Sequence, residues 1–492
     1  MSKGKLINDK KRVDEYIEEK MISYAETVEA EDGLPFLQYM IDMGIADDFS
    51  NAPFNIKRVS IDNYEVYPMI YALNILTGEW STRRTKAILK NEAILQIMGF
   101  SDEAIKNGIT KRGKGNQHGK GYERTAGVMA STTVIDNLAR FSYEGLVECF
   151  NKFIKRVSKL RIIDLGDTYI LDSTIVETSK DYPGAGKTKR KDEEGEEKDE
   201  VIWGFKVFVL SSAKTKIPVA IHIVPANEAD APMYVKMVKK GIENVGIGKI
   251  KIVLADRGFL DGSQLYELKY RMHIDFVIPA KKNMAIYKCF VGLKEDNTKN
   301  IEEWRYGRKG MSGGYLSKGS VSYAQYADES AGHDKNKNGE PINGVVVTKW
   351  RNQDIEPGKE KVILTSLDTD SAIEVIQLYG QRSLIENCNF RELKQAVALK
   401  QLPQFKDKNT KITAYIHMLL CVFTLGIFIV MVETVYSNPE YAEKKIPKNL
   451  REFQFMNKCE KGKIFVLVKN YYHIYDMEEF LILAGFTIVP RE

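Results

Sequence analysis

The chain is poor in the residues that staple or clamp small folds. Its 492 residues include five cysteines, Cys149, Cys289, Cys388, Cys421 and Cys459, odd in number, scattered, and without a Cys-x-x-Cys pair. That spacing argues against a disulfide framework or a thiolate zinc module and points to a reducing compartment. The six histidines show no His-Glu-x-x-His or other paired metal spacing, so single core or surface roles fit them. The N-terminus, MSKGKLINDKKRVDEY, lacks the apolar core of a signal peptide. Charge of one sign is also scarce. Lys plus Arg exceed Asp plus Glu by only 72 to 67, a net +5, which excludes a histone-like polycation but leaves room for local basic patches that meet nucleic acid. Only one long hydrophobic run occurs, ITAYIHMLLCVFTLGIFIVMVE at 412–433. Its length matches a bilayer, but it stands alone and Thr413, His417 and Thr424 interrupt it. A helix buried on all sides of a large core is the expectation, and a membrane anchor is the alternative.

What is present is a soluble-type composition, 43% apolar and 28% charged, in a chain long enough for two to four domains. No convincing internal repeat appears. Residues 1–160 read as mostly helical and interrupted by KRGKGNQHGKGYER at 111–124. That run is Gly-rich and basic. It reads either as a solvated loop or as a phosphate-contacting loop in which Lys111, Arg112 and Lys114 meet DNA beside a helical reader. Near 161 the apolar period changes from 3.6 to strand-like runs. TYILDSTIV (168–176), IWGFKVFVLSS (202–212) and IPVAIHIVPA (217–226) read as an antiparallel meander, with a charged loop at 180–200. A helix with Asp230 as N-cap follows, then strand KIVLAD (251–256), a short helix (263–272) and strand DFVIPA (275–280). The order β-β-β-α-β-α-β fills 161–283. Residues 284–368 read as a β-rich insertion, 369–435 as the second part of the core, and 436–492 as a C-terminal region. GAGKT at 184–188 mimics the tail of a phosphate-binding loop, but Asp181 stands where that motif requires Gly, and no strand-to-helix context surrounds it.

The chemistry concentrates in three places. Asp172 sits mid-strand in YILDST, and Asp256 ends KIVLAD. In this element order the first and fourth strands can lie side by side. A lone carboxylate closing an apolar strand is costly unless solvated, paired or bound to metal. The third place is YGQRSLIENCNFRELK (379–394), at the start of a long helical pattern that a capping box at Ser371–Glu374 opens. Tyr379, Arg382 and Glu386 fall at i, i+3 and i+7, on one helix face. Asp172, Asp256 and Glu386 together form an oxygen-rich set suited to a hard divalent cation, Mg²⁺ or Mn²⁺. Two ions there would clamp the attacking and leaving oxygens of a phosphodiester.

With these motifs in this order, the chain resembles bacterial insertion-sequence transposases with an RNase H-like DDE core, and more narrowly the insertion-sequence-four type. That type carries a Tyr-x2-Arg-x3-Glu-x6-Lys signature and a β-rich insertion between its second Asp and its Glu. Here LDST supplies Asp172, LADRGF supplies Asp256 and YGQRSLIE supplies Tyr379, Arg382 and Glu386, with 130 residues between Asp256 and Glu386 for the insertion. The resemblance covers roughly 50–435. It implies an α/β fold: an RNase H-like mixed sheet flanked by helices, with a helical N-terminal DNA-binding region and a β-rich insertion in the core. One departure stands out. The signature Lys position, seven residues after Glu386, is Leu393, and the lysine is Lys394, one step later. On a regular helix that step is about 100°. A local bulge would restore the register, the long Lys stem could reach across, or Arg391 could serve instead.

The resemblance further implies that Tyr379, Arg382 and Lys394 contact transposon-end phosphates and that cleavage passes through a DNA hairpin. Arg suits bidentate phosphate contact and Lys gives a point charge; an Arg382–Glu386 salt bridge is the alternative for the arginine. A hairpin demands sharp bending, relieved when a flipped base stacks on an aromatic ring. Trp350 is the best-placed stacker, with Trp304 the other choice. Lys206 and Lys281–Lys282 are further basic residues near strand ends. The expectation is a cut-and-paste transposase acting on inverted repeats and target double-stranded DNA, with two Mg²⁺ (or Mn²⁺) ions per site. It would work as a homodimer in the synaptic complex, in the cytoplasm at the nucleoid, and without a membrane partner. The rivals are an RNase H-like nuclease without strand transfer and a repurposed DNA-binding protein.

Overall fold

The structure is a computed structural model. It describes residues 6–28, 33–55, 63–78, 88–109, 127–160, 162–191, 197–297, 300–305, 311–328, 339–350, 353–383, 385–403, 410–435, 447, 449–459 and 463–486. The chain divides into two compact units: Ile154–Arg391, and Met1–Phe153 together with Glu392–Glu492.

The unit from 154 to 391 is built on one large sheet. In chain order its strands are β1 (Thr168–Thr178), β2 (Gly186–Lys191), β3 (Glu197–Ser212), β4 (Pro218–Pro225), β5 (Ile252–Ala255), β6 (Asp275–Pro279), β7 (Glu302–Arg305), β8 (Met311–Ser322), β9 (Pro341–Trp350), β10 (Gln353–Asp354) and β11 (Lys361–Thr365). The helices are α1 (Met233–Val245), α2 (Gly262–Tyr266), α3 (Ala285–Asp296) and α4 (Ala372–Gly380). The meander is present: β1 pairs antiparallel with β3, and β3 with β4. β5 then runs parallel to β1, and β6 parallel to β5. The resulting order β4-β3-β1-β5-β6, with only β3 antiparallel to its neighbours, is the RNase H-like arrangement. Strands β1, β5 and β6 read as nearly unbroken apolar runs because both faces are covered, as a parallel segment requires.

The described strands of 284–368 do not form a separate sheet. β11 pairs antiparallel with β6, β9 with β11, β8 with β9 and β7 with β8, so the insertion's strands lengthen the same layer. Helix α4 lies on the lengthened part. Its Ala372, Ile373, Val375 and Ile376 join Ile170, Leu254, Val277, Val345, Val347 and Ile363 in one buried cluster.

Three local expectations need correction. The 180–200 segment is not all loop: β2 pairs with the first half of β3. Lys187, Lys189 and Arg190 alternate with Thr188 without an apolar signal, so periodicity could not reveal that strand. Gly186 opens β2, antiparallel to β3, which rules out a phosphate-binding strand-to-helix turn at GAGKT. Asp230 is not the side-chain cap of α1. That helix begins at Met233 behind Pro232, and no side chain caps it. The helix expected at 263–272 is α2 followed by a wider π turn at Glu267–Arg271.

In the other unit the apolar helix Thr410–Val435 is long and apolar enough to cross a membrane. In the structure it is a core helix, packed against Leu34–Asp42, Val66–Leu76 and Ser131–Leu138 of the same unit. Phe423 meets Phe49, Phe150 and Phe153 edge-on or tilted, at centroid distances of 5.4–5.8 Å. KIFVLVKNYYHIY forms a hairpin, Lys463–Val468 with Tyr471–Asp476. The N-terminal strands Tyr24–Val28 and Ile7–Asn8 flank it, closing a four-stranded sheet from both ends of the sequence.

Candidate functional site

The parallel ladder between β1 and β5 ends at the pair Leu171–Ala255. The next residues are Asp172 and Asp256. Two carboxylates therefore stand on neighbouring parallel strands, Asp256 just past the end of β5 and Asp172 beside it within β1, close to the strand ends at which α/β sheets bind ligands. Asp172 is buried and Asp256 half-buried. Asp256 heads a 3₁₀ turn, Arg257–Phe259, in extended conformation, yet its side chain makes no capping hydrogen bond. The carboxylate is thus not consumed by the turn that follows it. Asp172 Oδ1 accepts the backbone N–H of Ser173 at 2.7 Å.

Above these strand ends lies the segment after α4. Ser371 Oγ accepts the N–H of Glu374 at 3.3 Å, the expected cap, and Glu302 of β7 adds a second one. Its Oε2 accepts from Ser371 Oγ at 3.0 Å and from Ile373 N at 3.1 Å, a carboxylate at the positive end of the helix. The helix does not continue regularly into the signature. After Tyr379, bonds from Gln381 N to Leu378 O, Arg382 N to Tyr379 O and Ile385 N to Arg382 O (3.0–3.2 Å) tighten the turn. The chain then widens into a π turn over Ile385–Phe390. The single long helix face expected for Tyr379, Arg382 and Glu386 is therefore broken, but Tyr379 and Arg382 still converge on the carboxylates. Arg382 Nη1 donates to Asp172 Oδ2 at 3.2 Å, with both side chains largely buried. The guanidinium lies 5.7 Å from the Tyr379 ring centroid. Burial pushes the Tyr379 phenol up to about 12; Arg382 opposes this, while Asp256 and Asp172 add to it. The phenol stays protonated at neutral pH.

Glu386 lies on the π turn, and its side chain falls outside the described residues. Asn389 of that turn anchors it, donating to Ser211 Oγ at 3.0 Å and to Lys216 O at 2.9 Å. Arg391 is exposed, and Lys394 is half-buried in the short helix Arg391–Gln395. Lys111, Arg112 and Lys114 lie outside the described residues. The two tryptophans separate cleanly. Trp304 packs against the core cluster under α4, whereas Trp350, at the tip of β9, is 48% exposed with Lys361 Nζ 5.9 Å from its ring centroid.

Among the described residues, no three His, Cys, Asp or Glu side chains gather as a metal cluster. The described part of the donor set is Asp172 and Asp256. Two hard carboxylates on adjacent strands, one of them already drawing a cation in Arg382, fit a hard divalent ion in chemistry and charge.

Lys206, expected near a strand end as a basic surface residue, is placed differently by the structure. It lies in the middle of β3, buried, donating to Asp230 Oδ1 at 2.9 Å and to Glu228 O at 2.7 Å. A lysine inside an apolar strand run is itself a signal that a carboxylate must be near.

A family model described as "Transposase DDE domain" matches residues 165–425, more than half of the chain. No curated protein matches it. Among solved structures, one similar chain is the piggyBac transposase in a synaptic complex with hairpin DNA. The identity is 10% and the TM-score 0.42, over 90% of this chain and 79% of that one.

Proposed function

The chain belongs to the transposase DDE domain family, and from that membership, which makes it a polynucleotidyl transferase, we propose that it cuts DNA at transposon inverted repeats and joins the ends to target DNA. The narrower relationship we propose is to the insertion-sequence-four type, with cleavage through a hairpin and a homodimer pairing the two ends. The observation that carries the reading is the Asp172–Asp256 pair on neighbouring strands β1 and β5, with Arg382 bonded to Asp172 and Tyr379 beside Arg382.

In this reading Asp172, Asp256 and Glu386 hold divalent cations, Mg²⁺ or Mn²⁺. When bound, such ions supply Lewis acidity at the scissile phosphate. The chain's own residues do the rest. Arg382 offers a planar fork to a phosphate and Tyr379 a neutral hydroxyl donor. The π turn at 385–390 adds a residue to one helical turn. It thereby supports Lys394, eight residues after Glu386, in the role of the signature lysine, with Arg391 the other choice. Exposed Trp350 offers a stacking face for a flipped base. Lys111, Arg112 and Lys114 would add phosphate contacts. The chemistry calls for no protein nucleophile, since water or a 3′-hydroxyl can attack.

The test uses inverted-repeat DNA and Mg²⁺. Asp172→Ala and Asp256→Ala are expected to abolish end cleavage while leaving end binding in a gel-shift assay intact. Normal cutting by either variant sinks the site assignment. Wild-type cutting without any joining to target DNA favours an RNase H-like nuclease instead.

A further inference from the structure

We infer that Lys206 and Asp230 form a positioning pair that sets the spacing of Asp172 and Asp256, and so tunes cation affinity at the site; this rests on the metal-dependent reading above. Asp230 lies in the loop before α1, and its backbone carbonyl accepts the N–H of Met233. Its carboxylate, however, looks away from the helix. Oδ1 takes Lys206 Nζ at 2.9 Å and the Ser173 hydroxyl at 3.4 Å. Oδ2 lies against Gly258: a Cβ on that glycine would stand 3.0 Å from it. Ser173 is the residue after Asp172, and Gly258 is the second residue after Asp256. One carboxylate therefore touches both backbone segments that carry the site's aspartates.

The pair's surroundings make it stiff. Lys206 and Asp230 side chains are 10% and 14% exposed. Lys206 is held in register between Ile175 of β1 and Val224 of β4, and Nζ lies 5.7 Å from the Phe208 ring centroid. Phe208 in turn meets Phe259 of the Asp256 turn at 5.9 Å, edge to face. Buried ion pairs do little for stability against apolar replacements of the same volume, so stability alone does not account for placing one here. Its neutrality matters as well. A bare third carboxylate beside Asp172 and Asp256 would repel them, and Lys206 answers that charge. Residues in this position orient metal ligands, and their loss typically weakens affinity ten- to a hundred-fold.

The experiment measures Mg²⁺ binding to the free full-length protein by isothermal titration calorimetry. It is paired with thermal unfolding and with the Mg²⁺ concentration giving half-maximal end cleavage. The variants are Asp230→Ala, Lys206→Met, and the apolar double variant Lys206→Met/Asp230→Leu. The expected result is at least ten-fold weaker Mg²⁺ binding in all three, with end-DNA binding unchanged. The double variant recovers stability relative to the singles but does not recover Mg²⁺ affinity, which a merely structural pair would not produce. Wild-type Mg²⁺ affinity in a folded double variant overturns the inference and leaves the proposed function standing. A wild-type protein that binds no Mg²⁺, with Asp172→Ala giving the same null titration, overturns both.

Discussion

Replacing Arg382 with glutamine removes the cation that now answers Asp172. The partners are 3.2 Å apart and 17% and 11% exposed. At that separation and an effective dielectric near 20, their gross attraction is about 5 kcal/mol. Truncating one partner of a largely buried pair costs about 3 kcal/mol once desolvation is counted. For a unit the size of 154–391 that corresponds to a melting temperature lower by roughly 6–12 °C in EDTA. Mg²⁺ should reverse the loss. The guanidinium and a divalent ion compete for the same Asp172 oxygen, so the variant is expected to bind Mg²⁺ about ten- to a hundred-fold more tightly than wild type. At a hundred times its Kd the ion returns about 2.7 kcal/mol. The assay is differential scanning fluorimetry over a Mg²⁺ series, with calorimetric titration for affinity. A variant that melts with wild type in EDTA and gains no extra protection from Mg²⁺ would refute the competition. The same variant should bind transposon-end DNA more weakly, because its phosphate fork is gone.

Trp350→Ala should leave stability within about 0.5 kcal/mol, since the ring is exposed, but lower hairpin yield on end DNA about ten-fold through lost stacking; unchanged hairpin yield on a sequencing gel removes Trp350 from the role. His417, buried in the helical unit, accepts from the Tyr71 hydroxyl at 2.9 Å through Nδ1 and lies 3.3 Å from Ala398 O through Nε2. Burial pushes its pKa down to about 4 from 6.5. The folded form therefore stays neutral while the unfolded chain takes a proton, so stability present above pH 6.5 is lost as pH falls toward 4. That loss is about 2 kcal/mol between pH 7 and pH 5. Denaturant unfolding at the two pH values should show a shallower pH dependence in His417→Gln, and an equal dependence rejects the assignment.

The strands of the core were legible because β1, β5 and β6 are buried on both faces and carry little but apolar residues. Their pairing followed from the order alone: with a meander first, the fourth strand has β1 as its open neighbour. The site was legible in part for the same reason, since Asp172 and Asp256 are the charges that end those runs. What escaped was whatever depends on a distant partner. Asp230 reads as a cap from its neighbours, whereas its partners, Lys206 and Ser173, come from strands distant in sequence. The break between Tyr379 and Ile385 showed only indirectly, as the one-residue offset of Lys394 that a local bulge would restore, and apolar spacing over so few residues could not locate it. β2 escaped because a strand of lysines, one arginine and one threonine has no apolar face to mark it.

The continuity of the sheet has a mechanical consequence. Trp350 stands at the tip of β9, and β9, β11, β6 and β5 are neighbours in one hydrogen-bonded layer. From the other edge, β7 grips the start of α4 through Glu302. A load applied at that tip runs toward Asp256 through cross-strand bonds and toward Tyr379 and Arg382 through a clamped helix. Excising 284–368 would then not unplug an accessory. It would expose the edge of β6 and free the helix that holds the arginine.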